Sequence, residues 1–404
     1  MTTSFSAGPH ALGYLYQARV ALFLLLDSPD ESIVKIEALD DIELSPQSTG
    51  NKLTLTQLKH HISKQAELTD YSPDLWKSIR VWATQVTDRR FALQDTRLNL
   101  ITTATAAPGS IASLLGVKDR DPQKAENQLI HVSNNSSNKS LIASFNAFKA
   151  LTPAQRTALV SSITILDQHE NIDEYKIKIC QLIRPAVRKK YVDSLYERLE
   201  GWWFNQTVRH LINISQTPFI TAFDLNEKIA SLAEGFHEEN LPIDFLGEEP
   251  DAAFLADNQD KLYVRQLEVI GVKPRVVKKA IFDYYRAFHQ RSRWLDEALV
   301  FPEELTAYEM LLVDEWERYF DSICDPSLDA KTEEELVAYG KRIFEWAELE
   351  ATHLKIRPRV EADFVRRGSF HILANKEPTP SVHWHPKFTE KVLGTMHVAA
   401  KTTK

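Results

Sequence analysis

The chain has 404 residues, 43% of them apolar and 26% charged, with a net charge of -8. That composition excludes a disordered polymer, provides for roughly two or three domains with large cores, and leaves any nucleic-acid contact to a local patch. Only two cysteines occur, Cys180 and Cys324, which excludes a disulfide framework and a cysteine-based zinc site and suits a reducing, cytoplasmic compartment.

The start, "MTTSFSAGPH", lacks a basic segment followed by an apolar core and reads as no signal peptide. "GYLYQARVALFLLLD" reads as a buried helix; its apolar run "VALFLLL" is too short to span a bilayer, so no membrane contact is expected. "SIVKIEALDDIEL" reads as an alternating strand, "SPQSTGN" as a turn and "KLTLTQLKHH" as a second strand, giving a hairpin. "TDYSPDLWKSIRVWATQVT" places Leu75, Ile79, Trp82 and Val86 at helical spacing behind Ser72 and Pro73, and "RLNLITTATA" reads as a buried strand. The order predicts an α/β core. Between about 116 and 150 the chain becomes polar, and "VSNNSSNKS" is its most linker-like stretch. Beyond 150 long amphipathic segments dominate, among them "YVDSLYERLEGWWFNQTVRHLI" and "ELTAYEMLLVDEWERYFDSI", without a repeat period. From about 358 helical periodicity fades, so "SVHWHPKFTEKVLG" reads as a strand or extended cap and "AAKTTK" as a mobile tail. The expected boundary separates residues 1–150, an α/β domain, from 151–404, a mainly α-helical regulatory and assembly domain.

The chemistry concentrates in the first domain. Gln57 and Lys59 lie two apart on a strand and therefore share a face. Asp40 and Asp41 end the preceding strand, Glu37 stands just before them, and Gln17 lies on the preceding helix. Phosphodiester hydrolysis needs a divalent cation held by oxygen ligands and a fixed positive charge near the attacking water. Asp41, Glu37, Gln57 or the Leu58 carbonyl supply oxygens, and Lys59 supplies the charge. Asp40 and Asp41 compete for the metal; shared strand parity with Glu37 favours Asp41, and a bulge would reverse that choice. Taken singly, Lys59 is also an ordinary strand end and the aspartates an ordinary turn cap. Taken in order, helix glutamine, Glu-x-x-Asp-Asp, hairpin and Gln-x-Lys favour a site.

Other clusters read as structural. His60 and His61 follow the lysine; His383 and His385, with His371 and His353 upstream, make a zinc site conceivable, but buried structural histidines are favoured. Arg286, Arg291 and Arg293 interleave with aromatics in "YYRAFHQRSRWL", where amphipathic packing and pairing with acids suffice. "RPAVRKKY" is the most basic run, suited to phosphate or to an acidic neighbouring subunit, and no GxxxxGK[ST] P-loop occurs.

The layout acid, turn, acid-or-Gln, any residue, Lys resembles PD-(D/E)xK nucleases, in the Gln-x-Lys variant of Mrr-type restriction enzymes. "GYLYQ", "EALDDIEL", "TQLKHH" and "TDYSPDLWKSIRVW" resemble the DUF4297-type double-stranded DNA endonuclease domain of bacterial antiphage effectors, including those of CBASS. "LYERLEGWWFNQTV", "DYYRAFHQRSRWL", "YEMLLVDEWERYF", "RRGSFHILAN" and "VHWHPKF" resemble the helical C-terminal region of nuclease subunits in ABC-three-component systems, including Lamassu. The resemblance implies a restriction-endonuclease-like domain and a Mg²⁺- (or Mn²⁺-) dependent endonuclease of double-stranded DNA. It also implies an SMC-like ATPase and a small third subunit that hold the enzyme inactive, and release into an active homo-oligomer. Carried over residue by residue, Glu37, Asp41, Gln57 and Lys59 match the active-site pattern and Gln17 the helix position, with Asp41, Gln57 and Glu37 as metal ligands. No second-messenger motif is evident, so nucleotide sensing is not carried over. The competing expectation is a non-catalytic DNA-binding or scaffold subunit of the same complex.

Overall fold

The structure, a computed structural model, describes residues 8–46, 52–61, 66–212, 220–324, 328–388 and 390–391. Most of the expected "SPQSTGN" turn, the first seven residues and the "AAKTTK" tail lie outside that set. The chain forms two compact units, Met1–Ala233 and Glu234–Lys404.

The first unit opens with α1 (Gly8–Leu26), β1 (Ser32–Ile36), β2 (Ile42–Pro46), β3 (Leu53–Lys59), a short β4 (Glu67–Leu68), α2 (Pro73–Thr87), β5 (Thr96–Thr102) and a short β6 (Thr105–Ala106). It continues with α3 (Ile111–Leu114), α4 (Pro122–Asn135), α5 (Ile142–Ala150), α6 (Pro153–Ser162), β7 (Ile163–Leu166), α7 (Ile172–Ile183), α8 (Val192–Ile212), β8 (Ile220–Thr221) and α9 (Ala222–Ala233). Six strands make one mixed sheet in the order β7-β5-β3-β2-β1-β8, and β4 pairs with β6 separately. β1, β2 and β3 are antiparallel neighbours, whereas β3, β5 and β7 run parallel. Leu55, Leu98, Leu100, Ile163 and Ile165 of the sheet pack against Trp76, Ile79 and Trp82 of α2, Leu129 of α4, and Phe145 and Phe148 of α5. Each such side chain, fully buried, stabilises by about 1.5–3 kcal/mol. Leu53, Leu55, Gln57 and Lys59 share one face of β3, so the face that begins apolar against α2 turns polar at the carboxyl end of the strand.

Three expectations change here. "SIVKIEALDDIEL" is two strands, β1 and β2, joined by a tight turn over residues 37–41 in which the Glu37 N–H donates to the Asp41 carbonyl. Glu37 sits in the turn at φ 55°, a conformation that composition does not reveal. "VSNNSSNKS" is not a linker: its first residues complete α4, which Asp121 caps and whose Ala125, Leu129 and Val132 are buried. The division between units falls after 233, not 150, because β7 extends the sheet beyond β5 and β8 pairs with β1.

The second unit contains α10 (Ala252–Asn258), α11 (Leu262–Val269), α12 (Pro274–Asp296), α13 (Pro302–Ile323), α14 (Glu333–Glu345) and α15 (Asp363–Ala374), with a π-helical turn over Trp346–Glu350 after α14. Its core gathers Tyr263, Leu267, Tyr308, Leu312, Ile343, Phe344, Phe370, Leu373 and Trp384. Where periodicity was expected to fade, α15 forms and buries Phe364, Val365, Phe370 and Leu373. "VHWH" is irregular chain, not a strand. The His383 ring stacks on Phe388 at 5.4 Å and meets Trp316 edge-on at 4.9 Å, while buried His385 lies 3.6 Å from Glu333. Three arginines of α12 pair with acids or carbonyls: Arg291 with Glu309, Arg293 with Glu297 at 2.7 Å, and Arg286 with the Glu248 carbonyl at 2.6 Å. Among the described residues no helix is long and apolar enough to cross a membrane.

Thr332 begins α14 with a reciprocal cap: its hydroxyl accepts from the Glu335 N–H, and the Glu335 carboxylate accepts from the Thr332 N–H at 2.8 Å. Thr332→Ala is expected to lower stability of this unit by about 1 kcal/mol, read in denaturant titrations as a lower midpoint at unchanged slope.

Candidate active site

β3 has an antiparallel neighbour on one side and a parallel one on the other, and its carboxyl end marks that change of direction. Ligands in open α/β sheets bind outside the carboxyl ends of parallel strands, and β3 and its parallel neighbour β5 end on this side. Here β3 ends at Lys59, beside the 37–41 turn that joins β1 to β2.

The backbone sets the first contact. Pairing between β2 and β3 stops at Ile42 and Thr56, which frees the next groups. The Leu58 N–H donates to Asp41 Oδ2 at 2.7 Å, and Lys59 Nζ stands 3.9 Å from the same oxygen. Lys59 Nζ also donates to Gln57 Oε1 at 2.9 Å and to the Leu58 carbonyl at 3.2 Å. Gln57 and Lys59 therefore share a face beside Asp41. The Gln17 amide, carried by α1, lies beside the Glu37 and Asp41 carboxylates and favours their ionised forms, and its Oε1 is buried without a partner. Gln17, Glu37, Asp41, Gln57 and Lys59 thus come together from α1, the turn and β3.

Burial raises the Glu37 carboxyl above its ordinary range, and the neighbouring Asp41 charge raises it further against the Gln17 amide and Lys59. Burial likewise raises Asp41, opposed by Lys59, the Leu58 N–H and Gln17. Two carboxylates held above their ordinary range, together with an orphaned amide oxygen, fit a hard divalent cation, which takes oxygen ligands and favours the ionised form of each acid. Among the described residues no three His, Cys, Asp or Glu side chains are grouped to hold a metal, so the donor set depends on the Gln17 oxygen beside the two acids.

Gln57, expected among the metal ligands, is engaged at both ends: its Oε1 accepts from Lys59 and its Nε2 donates to Asp40. The preference for Asp41 rested on strand parity with Glu37, and that reason does not apply because both flank a turn. Asp41 nonetheless lies next to Lys59, whereas Asp40 is 6% exposed and accepts from Gln57 and, at 2.7 Å, from the Trp82 indole. Trp82 reads in the sequence only as a core position of α2. Its N–H, which requires an acceptor when buried, is the signal that pointed to a polar partner. Gln85, one turn along α2, donates to the Leu39 carbonyl and holds the same turn.

Burial pushes Asp40 up to about 6, although Gln57 and Trp82 hydrogen-bond its ionised form. A carboxyl whose folded pKa exceeds its unfolded value of 3.8 stabilises the fold fully below 3.8 and loses that contribution as pH rises through about 6. Relative to Asp40→Asn, the wild type is expected to lose stability between pH 4 and 7, by about 3 kcal/mol at 1.36 kcal/mol per pKa unit. Denaturant titrations of both proteins at several pH values measure that difference; parallel curves would contradict it.

The His60 ring meets Tyr16 at a tilt of 41° with centroids 4.6 Å apart, and burial lowers its pKa. His61 Nε2 pairs with Asp74 at 2.7 Å. Both line a cleft of about 680 Å³ beside the carboxyl ends of β3 and β5, with Thr103, His169 and Asn171.

Residues 263–392 match the family described as C-terminal domain 7 of the ABC-three component (ABC-3C) systems, which supports membership of such a system. No curated protein matches the chain in sequence. Among solved structures, the Acinetobacter baumannii Cap4 SAVED/CARF-domain containing receptor with the cyclic trinucleotide 3'3'3'-cAAA is similar at 14% identity and TM-score 0.32, over 55% of this chain and 47% of that one. The chain thus spans about half the length of that receptor. The Moraxella osloensis Cap4 SAVED/CARF-domain containing receptor is similar at 13% identity and TM-score 0.33, over 69% of each chain.

Proposed function

We propose that this chain is a metal-dependent double-stranded DNA endonuclease, the effector subunit of an ABC-three-component antiphage system. The observation that carries the reading is the convergence of Gln17, Glu37, Asp41, Gln57 and Lys59 at the carboxyl end of β3. The C-terminal match supports the setting, in which an SMC-like ATPase and a small third subunit hold the enzyme inactive until release and self-association.

Asp41 and Glu37 would hold Mg²⁺ or Mn²⁺, and the Gln17 oxygen would join them once its amide turns over from the two carboxylates. What the cation supplies when bound is polarisation of the phosphate and a more acidic water. Lys59 places a compact positive charge where the attacked phosphate gains negative charge. The Leu58 N–H fixes the rotamer of Asp41 so that its second oxygen stays available. Because the chain is acidic overall, assembly into an oligomer or with a basic partner supplies the positive channel that DNA requires.

The test is purified chain, alone and with its genomic neighbours, incubated with plasmid and Mg²⁺. Cleavage lost on chelation supports the reading, whereas no cleavage in any assembly state favours the scaffold alternative. Cation binding is expected independently of turnover: Mn²⁺ at 100 times its Kd stabilises by about 2.7 kcal/mol. Melting curves should rise with Mn²⁺ for the wild type and stay flat for Asp41→Asn with Glu37→Gln.

A further inference from the structure

We propose that Asp40 is a positioning residue that locks the Gln57 amide with its oxygen toward Lys59, making Gln57 a tether for the ammonium and not a ligand of the cation. This rests on the nuclease reading for its catalytic consequence, but the geometry stands apart from it.

The chain of contacts has one consistent polarity. The Trp82 indole can only donate, and it donates to Asp40 Oδ2 at 2.7 Å. An ionised aspartate can only accept, so the group that Gln57 turns to Asp40 Oδ1 must be its NH2. The amide oxygen then points the other way, to Lys59 Nζ at 2.9 Å, and an ammonium can only donate. A donor-only group stands at each end of the chain, so the amide orientation is set from both sides. Asp40 itself has both oxygens engaged and is buried, which leaves it nothing to offer a cation. The adjacent aspartates therefore divide the work: Asp41 faces Lys59 and the Leu58 N–H, and Asp40 holds Gln57. The tether restricts a flexible four-carbon side chain to one place beside Asp41, which is what preorganised charge stabilisation requires.

Reversing the polarity of one link tests the idea. In Asp40→Asn, Trp82 keeps the amide oxygen of residue 40, so its NH2 faces Gln57; Gln57 must turn, and its own NH2 then confronts Lys59. In the double variant Asp40→Asn, Gln57→Glu, the new amide donates to the new carboxylate, whose second oxygen again accepts from Lys59. Net charge and shape match the wild type. The primary readout is competitive acylation of Lys59, quantified by mass spectrometry, which needs neither metal nor DNA. Lys59 is expected to react several-fold faster in Asp40→Asn than in the wild type and to return toward wild type in the double variant. For cleavage, Asp40→Asn should lower kcat about tenfold or more at unchanged KM, with recovery in the double variant. Gln57→Leu should leave the Mn²⁺-induced melting shift intact.

Equal acylation of Lys59 in the wild type and Asp40→Asn overturns the tether, as does a double variant no closer to wild type than the single one. A Mn²⁺ shift lost in Gln57→Leu overturns it too, because Gln57 would then ligate the cation. A wild type that never cleaves DNA overturns the nuclease reading alone, since the acylation pattern still decides the tether.

Discussion

Lys59→Ala is expected to lower Mg²⁺-dependent plasmid cleavage on the order of 10²–10³-fold, the cost of removing one preorganised donor from a site that stabilises developing charge. Stability should barely change. Lys59 Nζ contacts Gln57 Oε1, the Leu58 carbonyl and Asp41, and its side chain keeps 20% of its surface exposed. Water can therefore replace the ammonium at each acceptor, and a partly exposed ion pair contributes about 0–1 kcal/mol. The measurement is cleavage rate beside melting temperature and complex assembly, with Asp41→Ala in parallel. Lys59→Arg should not rescue: a planar guanidinium is larger than the compact ammonium and aims its donors differently. If Lys59→Ala and Asp41→Ala both assemble and still degrade DNA like wild type, the site assignment is wrong.

Gly368→Ala is expected to destabilise the C-terminal unit strongly. A Cβ at 368 would lie 2.0 Å from the Asp283 carbonyl oxygen and 2.4 Å from the Ala287 Cβ. Neither obstacle is the flexible end of a side chain, so α12 and α15 must separate to admit the methyl group. These helices pack on each other, and Phe370 and Leu373 on one side and Ala280 and Ile281 on the other sit in the unit's core. Overpacking costs about 1–3 kcal/mol where side chains can adjust, and a backbone obstacle lies at or above the top of that range. At roughly 2–4 °C per kcal/mol for a unit of this size, the melting temperature should fall by about 6–12 °C. Calorimetry decides it; a midpoint within about 2 °C of wild type would mean that the helices yield easily. Gly340→Ala meets the Ile270 Cγ2 methyl at 2.5 Å, which a side-chain rotation can relieve, and the Trp384 carbonyl only at 3.1 Å, and should cost less.

Sequence and structure agree most closely where local signals repeat. The helices α2, α8, α12 and α13 lie where periodicity put them, since an apolar stripe at 3.6-residue spacing has one way to be buried, and α1 lies where its apolar run put it. α4 carried the same signal in Ala125, Leu129 and Val132 behind an Asp121–Pro122 start, and its polar composition concealed it. β7, "ITIL", is four residues between two helices, too short to announce itself, and only pairing with β5 makes it a strand. The domain boundary was misplaced for that reason.

At the site, the residues themselves were legible. Period-two geometry placed Gln57 and Lys59 on one face, and the order of helix glutamine, acids and Gln-x-Lys identified the five side chains that the fold brings together. Which atom meets which was not legible. The φ 55° of Glu37, the turn that separates two strands where one was expected, and the burial of Asp40 under Trp82 depend on the path of the backbone and on a tryptophan 42 residues downstream. Residue type and spacing therefore determined that a lysine, a glutamine and two acids share the end of a sheet. Only tertiary packing decided that Asp41 faces the lysine while Asp40 grips the glutamine, because burial and hydrogen-bond polarity are properties of neighbours distant in sequence.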